Sequence, residues 1–305
     1  MSTVKNYLSL IKFSHTIFAL PFAMIGFSLA FYSEDAIRHF MGGSLPSSYS
    51  IYFGPSLVLW KLFLVLICMV TARSAAMAFN RYLDRSFDAK NPRTAIREIP
   101  KGIIAPNSAL RFVILNCILF MAATFFINTI CFYLSPVALF VILFYSYTKR
   151  FTALCHLVLG LGLSLAPIGA YLAVTGRFDI LPILFSLAVI FWVSGFDIIY
   201  ALQDVDFDKS QKLHSMPAAL GKKNALRVSE LLHLLSAACV VAAGIYGGFH
   251  ALYWVGIAVF AGMLFYQHSI VKPNDLSKVN IAFMTANGIA SVVFGVLVIA
   301  DLLLL

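Results

Sequence analysis

Residues 57–79 read LVLWKLFLVLICMVTARSAAMAF and run without a break into residues 80–88, NRYLDRSFD. The first stretch is apolar over about 20 residues, the length an α-helix needs to cross the hydrocarbon core of a bilayer. The second turns abruptly polar, with Asn80, Asp84 and Asp88 at four-residue steps. At i, i+4 and i+8 on a helix end these three side chains drift by only about 40° per step and line one face.

Apolar runs of spanning length recur along the whole chain, which has 305 residues, 61% of them apolar and 11% charged. A soluble domain carries roughly 25% charged residues, so a soluble globule is excluded. The runs predict about nine helices, at 13–32, 57–79, 110–128, 131–148, 153–174, 180–202, 229–248, 250–271 and 281–303. Asn128 and Thr129 are the only punctuation between the third and the fourth. Backbone polar groups in lipid must be paired within the segment, and nothing alternates with the period of two that a barrel requires. The expected fold is therefore all-α: a polytopic membrane bundle, residues 1–305 as a single integral membrane domain, with cap loops at 80–110 and 203–228. The first run holds His15 and Pro21, is long enough to span and lacks a small-residue cleavage site, so it reads as a transmembrane helix and not a cleaved signal. Cys68, Cys117, Cys131, Cys155 and Cys239 are odd in number, widely spaced and embedded in apolar runs; they read as small apolar fillers, with no disulfide framework or metal pair.

Charge then orients the bundle. With the N-terminus in the cytoplasm, all but Arg38, Lys61, Arg73 and Arg177 of the 22 Lys and Arg residues fall on that side, as the positive-inside rule describes. This places the protein in an inner or cytoplasmic membrane, N-terminus and active site toward the cytoplasm, C-terminus outside. The net charge of +9 reports this orientation; the basic residues flank spans and offer no groove to a nucleic acid. Both long loops fall on the cytoplasmic side and echo each other: Asp84 and Asp88 recur as Asp204 and Asp208, and Ala109-Leu110-Arg111 as Ala225-Leu226-Arg227. Such an echo points to two pseudo-repeated halves around a central cavity.

Asp84, Asp88, Asp197, Asp204, Asp206 and Asp208 are six of the chain's 13 acidic residues. In the second cluster Asp197, Tyr200 or Ala201, Asp204 and Asp208 share a helix face, with Asp206 pointing away. Carboxylates so spaced repel one another unless something positive lies between them. Neighbouring Arg and Lys side chains could neutralise them, or divalent cations could: carboxylate and amide oxygens are hard ligands suited to Mg²⁺, and the amide of Asn80 coordinates a metal yet forms no salt bridge. Two Mg²⁺ ions within a ring of Arg81, Arg85, Lys90, Arg93, Arg97, Lys149 and Arg150 form the environment a diphosphate needs. Each of these basic residues could equally be a membrane anchor.

Asn80-x-x-x-Asp84-x-x-x-Asp88, then Asn91-Pro92-Arg93-Thr94, Tyr145-x-x-x-Lys149-Arg150 and Asp197-x-x-Tyr200-Ala201-x-x-Asp204-x-x-x-Asp208, together resemble the UbiA-type aromatic prenyltransferases, in the branch that acts on 4-hydroxybenzoate or dihydroxynaphthoate. Tyr200 stands where a strict triplet would put its first Asp, as in many aromatic-acid members. The resemblance implies an Mg-dependent polyprenyltransferase of ubiquinone or menaquinone biosynthesis. Its partners would be a polyprenyl diphosphate, a small aromatic acid and the lipid bilayer. It implies one metal on Asn80, Asp84 and Asp88 and another on Asp204 and Asp208, with Arg81, Arg93, Lys149 and Arg150 near the diphosphate. Tyr200, Tyr145 and Tyr147 would face an allylic cation, and Asp197 would orient the phenol or take a proton.

Arg73, two turns deeper than Asn80 on the same face, could clamp the carboxylate of an aromatic acid or form an internal salt bridge to Asp197. His15, His156 and His214 read as structural hydrogen-bonding residues, with no zinc spacing among them. The rival readings are prenyl transfer to another cofactor precursor and a non-enzymatic secondary transporter that uses its intramembrane Asp residues for protons or Na⁺. Phospholipid head-group transfer is disfavoured, because the Asp-Gly-x-x-Ala-Arg signature is absent.

Overall fold

Helices form where the apolar runs lie, and polar residues that can satisfy the free backbone groups end them. The computed structural model describes residues 3–12, 18–40 and 55–304. In chain order its helices are α1 (Thr3–Leu10), α2 (Leu20–Phe40), α3 (Pro55–Leu83), α4 (Arg85–Lys90), α5 (Pro106–Ile127), α6 (Thr129–Thr148), α7 (Cys155–Thr175), α8 (Ile180–Ala201), α9 (Val205–Ser210), α10 (Met216–Gly247), α11 (Ala251–Ile270) and α12 (Asn287–Leu304). A π-helical turn, Ile281–Ala286, precedes α12. Among the described residues eight helices are long and apolar enough to cross a membrane, and a ninth, Leu20–Phe31, is apolar but shorter. The protein is thus an integral membrane bundle; His15 lies outside the described residues.

The weakest predicted boundary is real. Asn128 is extended, and its side-chain oxygen accepts from the Cys131 amide at 2.9 Å, capping α6. Its Nδ2 donates to Leu172 O at 2.8 Å, tying this corner to the end of α7. Helix α7 closes on Gly176, whose φ of 66° is the left-handed cap that glycine adopts without penalty. The loops at 80–110 and 203–228 contain more helix than expected. α4 follows α3 after Asp84, and α9 follows α8 after a single 3₁₀ turn, Leu202–Asp204, so the repeated Asp pairs occupy equivalent places twice. Helix α10 starts early, at Met216, because Ser215 caps it and Pro217 sits in its first turn; a kink at Gly221 (φ 77°) joins this start to the spanning part.

Lipid is as apolar as a leucine side chain, so helix association in a bilayer rests on close packing and interhelical hydrogen bonds. Ser229 Oγ donates to Gly195 O at 2.7 Å and Ser236 Oγ to Ala188 O at 2.8 Å, binding α10 to α8. Such bonds are worth about 0.6 kcal/mol each. α7 approaches α8 so closely at Gly160 that a Cβ there would lie 2.4 Å from Ile190 O. The densest packing is aromatic: Trp192 is fully buried against Phe22, Phe196 and Phe260. Phe125, Phe126, Tyr133, Phe140 and Phe265 stand exposed on the outer face, as lipid-facing side chains do.

Candidate active site

Hydrogen bonds of the i to i−4 type continue through the end of α3, from Asp84 N to Asn80 O at 2.9 Å and from Asp88 N to Asp84 O at 2.8 Å. The first acidic motif therefore keeps its helical face although α3 ends at Leu83. At the end of α8 the second motif does the same through its 3₁₀ turn, leaving Asp208 fully buried and Asp206 exposed. Both faces open onto one cavity of about 840 Å³. Asn80, Asp84, Asp88, Asp204 and Asp208 all line it, and so do Arg73, Arg81, Arg93, Tyr145, Lys149, Arg150, Asp197 and Tyr200. Tyr147 does not. Two residues beyond Tyr145 it falls on the other side of α6, 40% exposed, its ring against Phe79.

Each of the four motif carboxylates is held by a cation. Asp84 pairs with Arg150 at 2.9 Å, Asp88 with Arg97 at 2.6 Å and Asp208 with Lys149 at 2.7 Å. Arg93 grips Asp204 with Nε and Nη2 together, the bidentate geometry that only a guanidinium offers. The pairing is crossed: Arg93 and Arg97 from one loop serve the second and the first motif, and so do Lys149 and Arg150 from the end of α6. Two short basic segments thus stitch the halves together. Burial pushes the Asp84 carboxyl above its ordinary range, and the nearby Arg150 offsets this only in part. Burial works against the charges of Lys149 and Arg93, but hydrogen bonds and ion pairs with Asp208 and Asp204 outweigh it and hold both above their usual values.

Two cations with buried donors are left over among the described residues. Arg73 and Arg81 both line the cavity, neither has an ion pair among the described residues, and the Nε of each is buried without a hydrogen-bond partner. The salt bridge from Arg73 to Asp197 that the sequence allowed does not form. Asp197 instead meets His156, Nδ1 to Oδ2 at 2.6 Å. His156 was expected to serve structure alone, and its placement beside Asp197 is what the sequence reading missed, because the two residues lie 41 positions apart on different helices. Ser215 also emerges only here, its Oγ donating to Asp208 at 2.7 Å, and Asn91, which the sequence motif contained without a role, donates from Nδ2 to Asp204 at 3.2 Å. Phe283, from the π-helical turn, lines the cavity with its ring centre 4.3 Å from that of Tyr200. His214 is exposed.

Among the described residues no three His, Cys, Asp or Glu side chains cluster closely enough to hold a metal unaided. The donor set nonetheless suits a hard cation. Asp88 Oδ2 is buried without a hydrogen-bond partner, a costly arrangement for a carboxylate oxygen. Asn80 Nδ2 donates to Asp84 at 3.2 Å, leaving the amide oxygen to coordinate. The oxygens come from two helix ends, the pattern Mg²⁺ takes when substrate and water complete its shell.

The chain is similar to known proteins. The 4-hydroxybenzoate octaprenyltransferase of Aeromonas salmonicida (strain A449) is 29% identical over 245 residues, covering 80% of this chain and 84% of the relative. That of Tolumonas auensis is 29% identical over 228 residues, covering 75% and 79%. Among solved structures, the apo structure of a UbiA homolog from Aeropyrum pernix K1 superposes with a TM-score of 0.79 at 31% identity, covering 95% of this chain and 98% of that one. A UbiA homolog from Archaeoglobus fulgidus bound to DMAPP and Mg²⁺ shares the fold, with a TM-score of 0.71 at 20% identity over 98% of this chain and all of that one. The UbiA prenyltransferase family matches residues 40–289; the chain belongs to that family and is an intramembrane prenyltransferase.

Proposed function

We propose that this enzyme moves a polyprenyl group from its diphosphate to a ring carbon of a hydroxylated aromatic acid, 4-hydroxybenzoate or a dihydroxynaphthoate, in quinone biosynthesis. The observation that carries the reading is that Asp88 and Asp208, far apart in sequence, line one cavity with Arg73 and Asp197 deeper in it. The site faces the cytoplasm, with the N-terminus on that side and the C-terminus outside.

Asn80, Asp84 and Asp88 would hold one Mg²⁺ and Asp204 with Asp208 a second; bound there, the ions supply charge stabilisation to the departing diphosphate. Arg93, Arg97, Lys149 and Arg150, which now neutralise the carboxylates, then turn their donors to phosphate oxygens. Arg81 adds a cation with no ion pair among the described residues. The allylic C–O bond breaks with its electron pair on the diphosphate. Tyr200 and Tyr145 present π faces to the resulting cation in a cavity whose far wall is apolar. Arg73 clamps the acceptor's carboxylate by a two-point contact and so points its ring at the cation. A ring carbon attacks, a C–C bond forms, and the proton on that carbon passes to the Asp197 carboxylate, which restores aromaticity.

The test is to incubate the purified protein with Mg²⁺, a short prenyl diphosphate and a panel of phenolic acids, then weigh the products. A C-prenylated acid formed only with Mg²⁺ is the expected result. Diphosphate release that is indifferent to the acid, with no prenylated ring, would overturn the proposal.

A further inference from the structure

His156 sits one turn before Gly160, where α7 passes close against α8, and this approach seats a buried imidazole (3% exposed) against Asp197. Ser194 Oγ, on the same face of α8, donates to His156 O at 3.1 Å and fixes the position from behind. The ring's two nitrogens have different partners. The Met216 backbone amide, which can only donate, points at Nε2 at 3.3 Å. In the tautomer that satisfies both contacts Nε2 accepts from that amide, and Nδ1 carries the hydrogen and donates it to Asp197 Oδ2 at 2.6 Å. Among the described residues no other hydrogen bond reaches Asp197, whose side chain keeps a quarter of its surface open in the cavity. Tyr145, on α6, is another titratable side chain that faces the charge of Asp197.

We propose that His156 is a positioning residue for the transfer reaction. Its Nδ1–H, set in that tautomer by the amide at the start of α10, occupies one carboxylate oxygen of Asp197 and holds the other toward the acceptor ring as the proton's destination. This rests on the assignment of Asp197 as the base. It also links the base to the diphosphate end of the site, because Ser215, next to Met216, holds Asp208. Opening of the α9–α10 segment would release the imidazole and the second acidic motif together.

Two substitutions separate the halves of this contact. His156→Asn keeps an N–H near the position of Nδ1 and loses the contact with Met216; His156→Gln keeps an acceptor for Met216 and loses the donor to Asp197. The assay is prenylation of a phenolic acid, protiated or deuterated at the attacked carbon, by the full-length protein with Mg²⁺. The Asn variant should stay within about tenfold of the parent's kcat, whereas the Gln variant should fall by about 10²-fold, a typical contribution of a positioned proton acceptor. The Gln variant should also show a primary deuterium isotope effect that the parent lacks, with KM for the prenyl diphosphate unchanged. The opposite ranking, or equal losses with no isotope effect, would make His156 a packing residue and overturn the proposal. Asp197→Asn is the control. Full turnover in that variant removes the base assignment itself, while loss there beside an active Gln variant removes only the role of His156.

Discussion

The two acidic motifs end equivalent helices, carry carboxylates at the same spacing and borrow cations from the same two basic segments, yet one to three turns deeper they become opposites. Below the first motif α3 carries the half-buried Arg73, its Nε fully enclosed, a cation with no counter-ion among the described residues. Below the second α8 carries the half-buried Asp197, an anion with one oxygen bonded by His156. An uncompensated buried charge is expensive and is expected at a functional site, so the first arm is shaped to receive an anion. A carboxylate with one oxygen bonded and the other open to the cavity is shaped to receive a proton. The same repeat has thus been specialised, one half toward binding and the other toward chemistry. The second arm is also the better buttressed. Phe283 packs on Tyr200, and Asn287 fixes the π-helical turn by donating to Ala282 O and Phe283 O while accepting from Trp192 and Gln267. π-Helical turns inside α-helices are frequent at functional sites.

The contrast makes graded predictions. Where the halves act alike the effect is largest: Asp84→Asn and Asp208→Asn should each lower prenyl transfer by about 10³-fold, the scale on which preorganised electrostatics acts, and a surviving turnover in one of them would show that the two motifs are unequal. Where they differ, Arg73→Lys should raise KM for the aromatic acid by about 10- to 100-fold, the worth of a charged hydrogen bond, while KM for the prenyl diphosphate stays put. The methyl ester of the acid, which lacks the charge, should not feel the substitution. Asn287→Ala should cost about 1–3 kcal/mol through the buried polar groups it strands, read as a lower Tm, and should affect Tyr200-dependent turnover more than donor binding. The smallest effect belongs to Lys149. Its pKa is raised in the folded protein, so the stability it contributes is complete below about pH 10.4 and is lost as pH rises through the folded value. In chelator, Lys149→Met should remove a part of the alkaline decline in Tm worth about 1 kcal/mol or less, because the side chain is one-third exposed.

Both motifs were legible because a helix converts spacing into a face: four-residue steps put Asp84 with Asp88, and Asp204 with Asp208, on common sides whatever packs around them. The spans were legible because lipid penalises unpaired backbone in every such protein alike. The start of α10 within the expected 203–228 loop was not read, although Ser215 and Pro217 are a helix-start signal, because the apolar run begins only farther along. Tyr147 was misjudged as a cavity residue because an aromatic beside Tyr145 looks equivalent until the helical turn is drawn.

Composition and periodicity alone determined a helical membrane protein, its acidic centres and the isolated intramembrane charges Arg73 and Asp197, since each of these follows from transfer energies and local geometry. Which charge meets which was decided by tertiary structure. Among the described residues Arg73 was left without an ion pair, Asp197 was given to His156, and Arg93 with Arg97, and Lys149 with Arg150, were divided between the motifs, because pairing depends on how closely separate helices approach. The contact at Gly160, where α7 can touch α8 for want of a side chain, is one such approach, and no one-dimensional pattern encodes its distance.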